Sequence, residues 1–482
     1  MQSLTTLIVL PLLGAVIIAV LPAQRRLWPR TVSVLTSALT LGLAVSFLGI
    51  DDLASLTEHV KWLHVMEISY IFGVDGFSLP MIILTALLSL VSILASSNIT
   101  EGVKGYYSLM LLLEAAIFGV FTAQDWLLFY VFWELTLIPL FFLIDRWGGS
   151  RRHVAALNFF LYTFGGSIFL LITMLVLYDS LPVRSFEMKV MAQGAQLLSE
   201  HKQLLIFLGF LIGFVIKMAI FPFHGWLPLA HVEAPSPVSI LLSGVLVKMG
   251  SYGLLRASAM FPSAVMNVQG WLMVFALISL LYGGLLAWKQ HDLKAKIAYS
   301  TVSHMGVVLL GIATLNVTGL TGAVMQMTAH GLVAGALFLI IGLLYERTHT
   351  RDVRQYSSLI RTAPRFAFFT ILAFFAAVGM PGTVGFVAEL HVLLGGFVLW
   401  GWAVLLLSIS IVVSAAYAIR TVVCLFTGPV REEMRHVRDL GTTEMLATSV
   451  LTGSAVLLGL LPAPLLKIIH PAVTQLSQLF SY

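Results

Sequence analysis

Glu114, Glu134, Lys217, Lys248, His304, His330 and Glu389 lie inside long apolar runs of this sequence. A charged side chain at the centre of a bilayer costs about 2.5–3.5 kcal/mol on insertion scales, so such residues are usually kept for a partner or an ion path. At 1.5 Å per helical residue, Glu134, Lys248 and His304 fall roughly 12–18 Å from the nearer end of their runs, too deep to snorkel out. One physical account uses all of these groups: a polar track parallel to the membrane, fed with protons by water at breaks in the helices. In it Glu134 tunes Lys217, Lys248 is the central relay, His304 and His330 continue it, and Glu389 is the exit group. Two opposite charges about 6 Å apart, at an effective dielectric near 20, interact by about 3 kcal/mol or roughly two pKa units. Moving one partner therefore switches the protonation of the other. Taken singly, each residue also fits a buried ion pair or a satisfied core histidine, but their recurrence at similar depth argues jointly for a path.

The stretch 211–256 is apolar at both ends and broken in the middle by Pro222, Pro228, Pro235 and Pro237. Proline donates no backbone hydrogen bond, so the freed carbonyls need protein or water, and broken helices at membrane depth line hydrated cavities. His224, His231 and Glu233 fall in this interruption and support proton entry, as Glu114 supports the path elsewhere. A tight surface loop would explain the prolines but not Lys217 and Lys248. Two other chemistries use the same residues. His304 and His330 could be axial ligands of a b-type haem if they face each other at matched depth. His224 and His231 could bind zinc, although a spacing of seven split by prolines is unlike the one-turn spacing of HExxH. Dinucleotide, Walker and GxSxG patterns are lacking, so no nucleotide or acyl chemistry is indicated.

The elements that must carry these residues follow from composition. Of 482 residues, 59% are hydrophobic and 10% charged, against roughly 25% charged in soluble domains. An all-α polytopic membrane protein is expected. One cysteine, Cys424, excludes a disulfide framework, a Cys-ligated iron–sulfur cluster and a structural zinc site within the chain. No cofactor is expected. Apolar runs of about 18 residues or more number about fourteen: 3–22, 31–50, 78–97, 105–123, 126–145, 154–178, 203–221, 236–256, 269–288, 296–316, 317–345, 366–394, 398–425 and 445–466. The first is expected to be a retained helix, because no positive residue precedes it and Arg25, Arg26 and Arg30 follow it.

Loop charge orients the spans. With the amino end outside, the outer side holds Lys61, Arg184, Lys189, Lys202, Arg256 and Lys467, and Lys217 and Lys248 lie in the membrane. All the other Lys and Arg of the 27 fall on the inner side. That excess follows the positive-inside rule and places both ends outside, and it removes the nucleic-acid reading of the +5 formal charge. Glu134 and His304 recur in spans five and ten, and Lys217 and Glu389 recur beside breaks in spans seven and twelve. Span twelve is interrupted at Gly379-Met380-Pro381-Gly382. Because five spans is an odd number, successive units are inverted, and inverted repeats with paired broken helices mark transporters. The expected organisation is helices 1–3 in 1–100, a first repeat in 101–260, a second in 261–425 and helix 14 in 426–482.

Several segments resemble a known family: 129–144 (FYVFWELTLIPLFFLI), 221–239 (FPFHGWLPLAHVEAPSPVS), 244–256 (GVLVKMGSYGLLR), 296–306 (KIAYSTVSHMG), 326–332 (QMTAHGL), 344–352 (LYERTHTRD) and 379–390 (GMPGTVGFVAEL). They are similar to the antiporter-like proton-pumping subunits of respiratory complex I, across about 75–425. Glu389 makes the chain most like the M type, since the L and N types and Mrp-type antiporters generally carry lysine there. The few residues after the fourteenth run also leave no long lateral helix of the L type. The resemblance implies fourteen helices, proton translocation driven by quinone reduction in neighbouring subunits, no redox chemistry in this chain, and the relay roles given above. The implied partners are adjacent antiporter-like subunits, a quinone-site subunit and the lipid of an energy-transducing membrane. Leu229 departs from the usual LPDAH, removing a carboxylate at the break, and EAPSPVS is closer to photosynthetic and N-type relatives than to EAPTAGS. The same module also serves membrane-bound hydrogenases, Mrp-type cation/proton antiporters and inorganic-carbon uptake complexes, which remain the alternative.

Overall fold

The computed structural model describes residues 4–20, 22, 27–50, 52–63 and 68–480. Arg25, Arg26 and the side chain of Lys61, counted above among the loop charges, lie outside the described residues. In chain order come α1 (Leu4–Val20), α2 (Leu27–Ser46), strands β1 (Thr57–Leu63) and β2 (Ile68–Gly73), α3 (Ser78–Ala95), α4 (Val103–Thr122), α5 (Trp126–Leu135) and α6 (Leu137–Trp147). There follow α7 (Arg152–Ser180), α8 (Met188–Ala195), α9 (Glu200–Lys217), α10 (Trp226–Glu233), α11 (Ser236–Leu241), α12 (Val247–Met260), α13 (Pro262–Lys289), α14 (Leu293–Ala313) and α15 (Val317–Thr348). The last are α16 (Leu359–Thr362), α17 (Pro364–Ala377), α18 (Val384–Trp400), α19 (Leu406–Phe426), α20 (Thr442–Leu460) and α21 (Ala463–Gln478). The two strands pair antiparallel, Thr57 opposite Gly73, in the segment between α2 and α3.

Among the described residues, eleven segments are long and apolar enough to cross a membrane. The other expected runs miss that measure for local reasons. α1 is 17 residues long. α9 carries Glu200, Lys202 and Lys217. α18 and α19 run on as one apolar segment, Val384–Phe426, turned at Gly401, whose φ is +52°. α17 is the short first half of the interrupted span twelve. The chain is a multi-pass membrane protein. α7 turns Leu157, Leu161, Phe169 and Ile172 outward, whereas α15 is buried from Gly319 to Leu344. A helix apolar all round belongs to a core, and α15 is packed against α14 and α18.

Three interruptions position the ionisable residues. Pro139 has no N–H for the Leu135 carbonyl, and the fifth span kinks at Thr136, between α5 and α6. α9 ends at Lys217; beyond it Ala219 takes a left-handed φ of 55°, and the Phe221 N–H donates to Ser279 Oγ at 2.9 Å instead of to a helix. The chain restarts as α10 and stops at Ala234, which is extended because it precedes Pro235. α17 ends in the same way before Gly379 and Gly382, with φ of +72° and +94°. Between α11 and α12 the helix widens into a π turn at Leu242–Leu246, immediately before Lys248. Such turns are frequent at functional positions.

The chain divides into two compact units. The first comprises Met1–Met218, Val245–Gly270 and Ile468–Tyr482; the second comprises Ala219–Gly244 and Trp271–Lys467.

Candidate functional site

In the first unit, Lys217 occupies the last turn of α9, where free carbonyls favour a cation. Its side chain is 2% exposed as a residue and its Nζ lies 5.0 Å from the Trp133 ring centroid. The ammonium donates to Thr136 Oγ1 at 3.4 Å, the hydroxyl at the α5–α6 kink. Glu134, on α5, interacts electrostatically with Lys217 and hydrogen-bonds Ser167 and Tyr130. Trp133 Nε1 also donates to Ser167 Oγ, at 3.0 Å, which fixes the ring under the ammonium. Glu134 Oε1 is buried and has no hydrogen-bond partner among the described residues. An acid and a base thus lie within electrostatic range of each other at a helix break, with one carboxyl oxygen of the acid left without a partner among the described residues.

Lys248 is fully buried on α12. That helix comes close to α9 because Gly250 has no Cβ: one there would lie 2.7 Å from the Phe214 carbonyl and from Met218 Cγ. Glu114, fully buried on α4, accepts at both oxygens, from Ser37 Oγ and Thr40 Oγ1, each at 2.6 Å. These hydroxyls lie on α2, which buries Ser33, Thr36, Ser37 and Thr40 and exposes Leu35 and Leu39. The N-terminal helices therefore contribute a polar face to the interior.

In the second unit, His304 on α14 and His330 on α15 lie with ring centroids 5.2 Å apart, tilted by 42°. Gln326, one turn before His330, places its Nε2 3.2 Å from His304 Nδ1. Glu389 Oε1, on α18, is 3.7 Å from the same nitrogen. With the amide donating, Nδ1 is an acceptor and His304 is neutral; once protonated, His304 pairs with Glu389. Gln326 Oε1 is buried without a partner among the described residues, so an amide flip supplies an acceptor for the new N–H. The cluster can take up one proton without moving a helix. Axial haem ligation requires a macrocycle between the two imidazoles, and rings this close with Gln326 at Nδ1 leave no space for one. Gly379 makes room for Glu389, since a Cβ there would lie 2.5 Å from Oε2.

His231 is fully buried in α10 and stacks on Phe338, 4.6 Å between centroids at 14°. His224 packs edge-on against Tyr282 at 5.3 Å, and no group of three potential metal-binding side chains occurs among the described residues. Glu233 interacts electrostatically with Lys294. Leu229 is half-buried on α10. The end of α10 is held by two cations that sequence reasoning counted only as loop charge: Lys294 Nζ donates to the Ala234 carbonyl at 2.7 Å and Arg351 Nη1 to the Val232 carbonyl at 2.6 Å. Cations at a helix C-terminus satisfy its orphan carbonyls. Also missed were Thr136, Gln326, Ser37 and Thr40. Only Gln326 carried a readable signal, its i−4 spacing from His330 on one helix face.

Residues 123–415 match the family described as NADH:quinone oxidoreductase/Mrp antiporter, TM, and residues 6–122 match NADH-ubiquinone oxidoreductase chain 4, amino terminus. The chain is 38% identical over 500 residues to NADH-quinone oxidoreductase subunit M of Rhodobacter capsulatus, covering 99% of this chain and 97% of that one. It is 42% identical over 399 residues to NAD(P)H-quinone oxidoreductase chain 4 1 of Synechococcus elongatus, covering 81% and 74%. Its fold matches a chain in the structure of respiratory complex I from Thermus thermophilus with bound NADH, with TM-score 0.91, 30% identity, and 99% and 100% of the two chains covered. A chain of the Mrp complex from Dietzia has the same fold, with TM-score 0.86 at 22% identity over 100% and 99% of the two chains.

Proposed function

This chain belongs to the NADH:quinone oxidoreductase/Mrp antiporter family, and we propose that it is the proton-translocating M-type subunit of a complex I-type NAD(P)H or ferredoxin:quinone oxidoreductase. It has no redox centre of its own and works beside adjacent antiporter-like subunits and a quinone-site subunit in an energy-transducing membrane. End-to-end similarity to a subunit M, together with the match to a complex I chain, supports this place in the assembly.

Within it, Glu134, Lys217, Lys248, His304, His330 and Glu389 form the proton relay. Glu114, His224, His231 and Glu233 are its accessory groups. The relay runs through two inverted five-helix repeats, 101–260 and 261–425, flanked by 1–100 and 426–482, with one broken span in each. The observation that carries this reading is the lodging of Lys217, at the break after α9, against Thr136 and the Trp133 ring, in the same helical turn as Glu134. A lone lysine there would be an uncompensated charge; beside a carboxylate of adjustable distance it becomes a group that takes and yields a proton.

The test is proton pumping in membrane vesicles carrying Lys248→Ala or Glu134→Ala, with assembly checked by native gel. Reduced pumping in an assembled complex is expected. Normal pumping in both variants refutes the relay, and loss of assembly assigns the residues a structural role instead. Co-purification decides the assembly: quinone-site and iron–sulfur subunits are expected, whereas a nickel–iron hydrogenase, small antiporter subunits or a soluble carbon-uptake partner would move the chain to one of those machines.

A further inference from the structure

One face of α12 leads from Lys248 to an ion pair at the outer end of the first unit. Lys248, Tyr252 and Arg256 are four residues apart, so they stack along about 12 Å of one helix face. Lys248 and Tyr252 are fully buried, the Arg256 side chain is 15% exposed, and that of Asp75, its partner, is 32% exposed. Loop charge places both the end of α12 and the start of α3 on the outer side, and the pairing of Arg256 with Asp75 agrees with that assignment. Arg256 Nη1 lies 2.6 Å from Asp75 Oδ2, and Nη2 donates to the Tyr252 hydroxyl at 2.8 Å. Tyr252 in turn donates to the Phe121 carbonyl at 3.1 Å. The guanidinium also sits over the rings of Tyr252 and Phe77, at 4.8 and 5.8 Å.

The two members of the pair are anchored unequally. Asp75 Oδ1 accepts from the N–H groups of Phe77 and Ser78, both at 3.0 Å, and so caps α3 whether or not Arg256 is present. Arg256 Nε is buried without an acceptor among the described residues, which a purely structural arginine would normally have satisfied. Arg256 is therefore the member free to leave. A fixed guanidinium at the mouth of a polar path is a barrier to protons arriving from outside.

We propose that Arg256 and Asp75 are the outer gate of the Lys248 proton path, with Tyr252 as the hydroxyl step between gate and lysine. The pair seals this face of α12, so that a proton on Lys248 is passed on towards Glu389, and Lys248 exchanges protons with outer water only when Arg256 swings off Asp75. The proposal rests on Lys248 being a proton carrier, and its test is independent of turnover.

The intact assembly with the variant chain is reconstituted in liposomes, a pH gradient is imposed without electron donor, and an entrapped pH dye follows passive proton flux. Arg256→Gln and Asp75→Asn are each expected to raise that flux at least tenfold over wild type. The exchanged pair, Asp75→Arg with Arg256→Asp, is expected to return it to within twofold. Adding Lys248→Ala to Arg256→Gln is expected to abolish the leak, because the lysine is the inner end of the path. Wild-type tightness in the assembled single variants, or a leak that survives Lys248→Ala, overturns the gate. Where the single variants fail to assemble, Arg256→Lys serves: a raised passive flux through the assembled complex supports the gate, and wild-type tightness overturns it. Loss of pumping in Lys248→Ala alone reports on the relay and not on the gate.

Discussion

The clusters at the two broken spans handle charge in different ways. In the first unit a lysine, Lys217, sits at a helix C-terminus, over the Trp133 ring and within electrostatic range of Glu134. In the second, His304, His330, Gln326 and Glu389 gather groups that can all be neutral at once. A lysine in apolar surroundings keeps its proton only while a carboxylate answers it, so the first site responds to displacement of a partner. An imidazole with an amide on one nitrogen and a carboxylate near the same atom has two hydrogen-bond patterns to choose between, and the choice needs no movement of its helices. The backbone at the breaks differs in parallel. Glycines at 379 and 382 supply the left-handed turns after α17, whereas Ala219 supplies the one after α9.

The sharpest way to break this contrast is Glu134→Gln, which keeps the shape and removes the charge. Proton pumping per turnover is expected to fall at least tenfold, since stranding a buried partner charge costs about 3–5 kcal/mol. In the second cluster, His304→Gln and His330→Gln are each expected to lower pumping several-fold, and the double variant little further, because the rings act as one proton-sharing unit. Additive losses would show two separate carriers. Among backbone changes, Gly379→Ala forces a left-handed alanine and crowds Glu389; a loss of about 2 kcal/mol in thermal unfolding is expected. Ala219→Gly is expected to be close to neutral. Relief of about 1–2 kcal/mol of left-handed strain is offset by a lost buried methyl of about 0.8 kcal/mol and by greater freedom of the unfolded chain.

The smallest effect belongs to neither cluster. In the loop after α15, hydrogen bonds from Arg354 hold the Asp352 carboxyl down at about 2. A group depressed on folding contributes stability above its unfolded pKa of about 3.9 and loses it as pH falls towards 2. The pair is exposed, so Asp352→Asn should change stability at neutral pH by no more than about 0.5 kcal/mol. An acid midpoint that Asp352→Asn shifts strongly would place more of the fold's stability in this loop than its exposure suggests.

How far the sequence could be read varies from residue to residue. Pro222, Pro235 and the Gly379–Gly382 segment announced interruptions, because a missing N–H or a left-handed turn acts locally whatever packs nearby, whereas Pro139, inside a run read as unbroken, did not. Lys294 and Arg351 could be assigned only to an inner loop by charge. Their grip on the α10 carbonyls joins residues 60 and 119 positions apart, which no local rule foresees. Thr136, Ser37 and Thr40 were likewise unreadable, because short hydroxyls are common in membrane helices and nothing in their spacing identifies a partner on another helix.

By itself, the sequence determined which titratable groups lie inside apolar runs, where the helices must break after α9 and α17, and how the basic residues divide among the loops. Those properties are set by transfer energies and backbone chemistry that each segment carries with it. Only the tertiary structure decided which groups meet: Lys217 with Thr136 and Trp133, Glu114 with Ser37 and Thr40, His304 with Gln326 and Glu389, Arg256 with Asp75. A helical repeat fixes the face on which a side chain lies. The depth and rotation at which that face meets another helix come from interhelical packing, as where Gly250 admits α9 against α12.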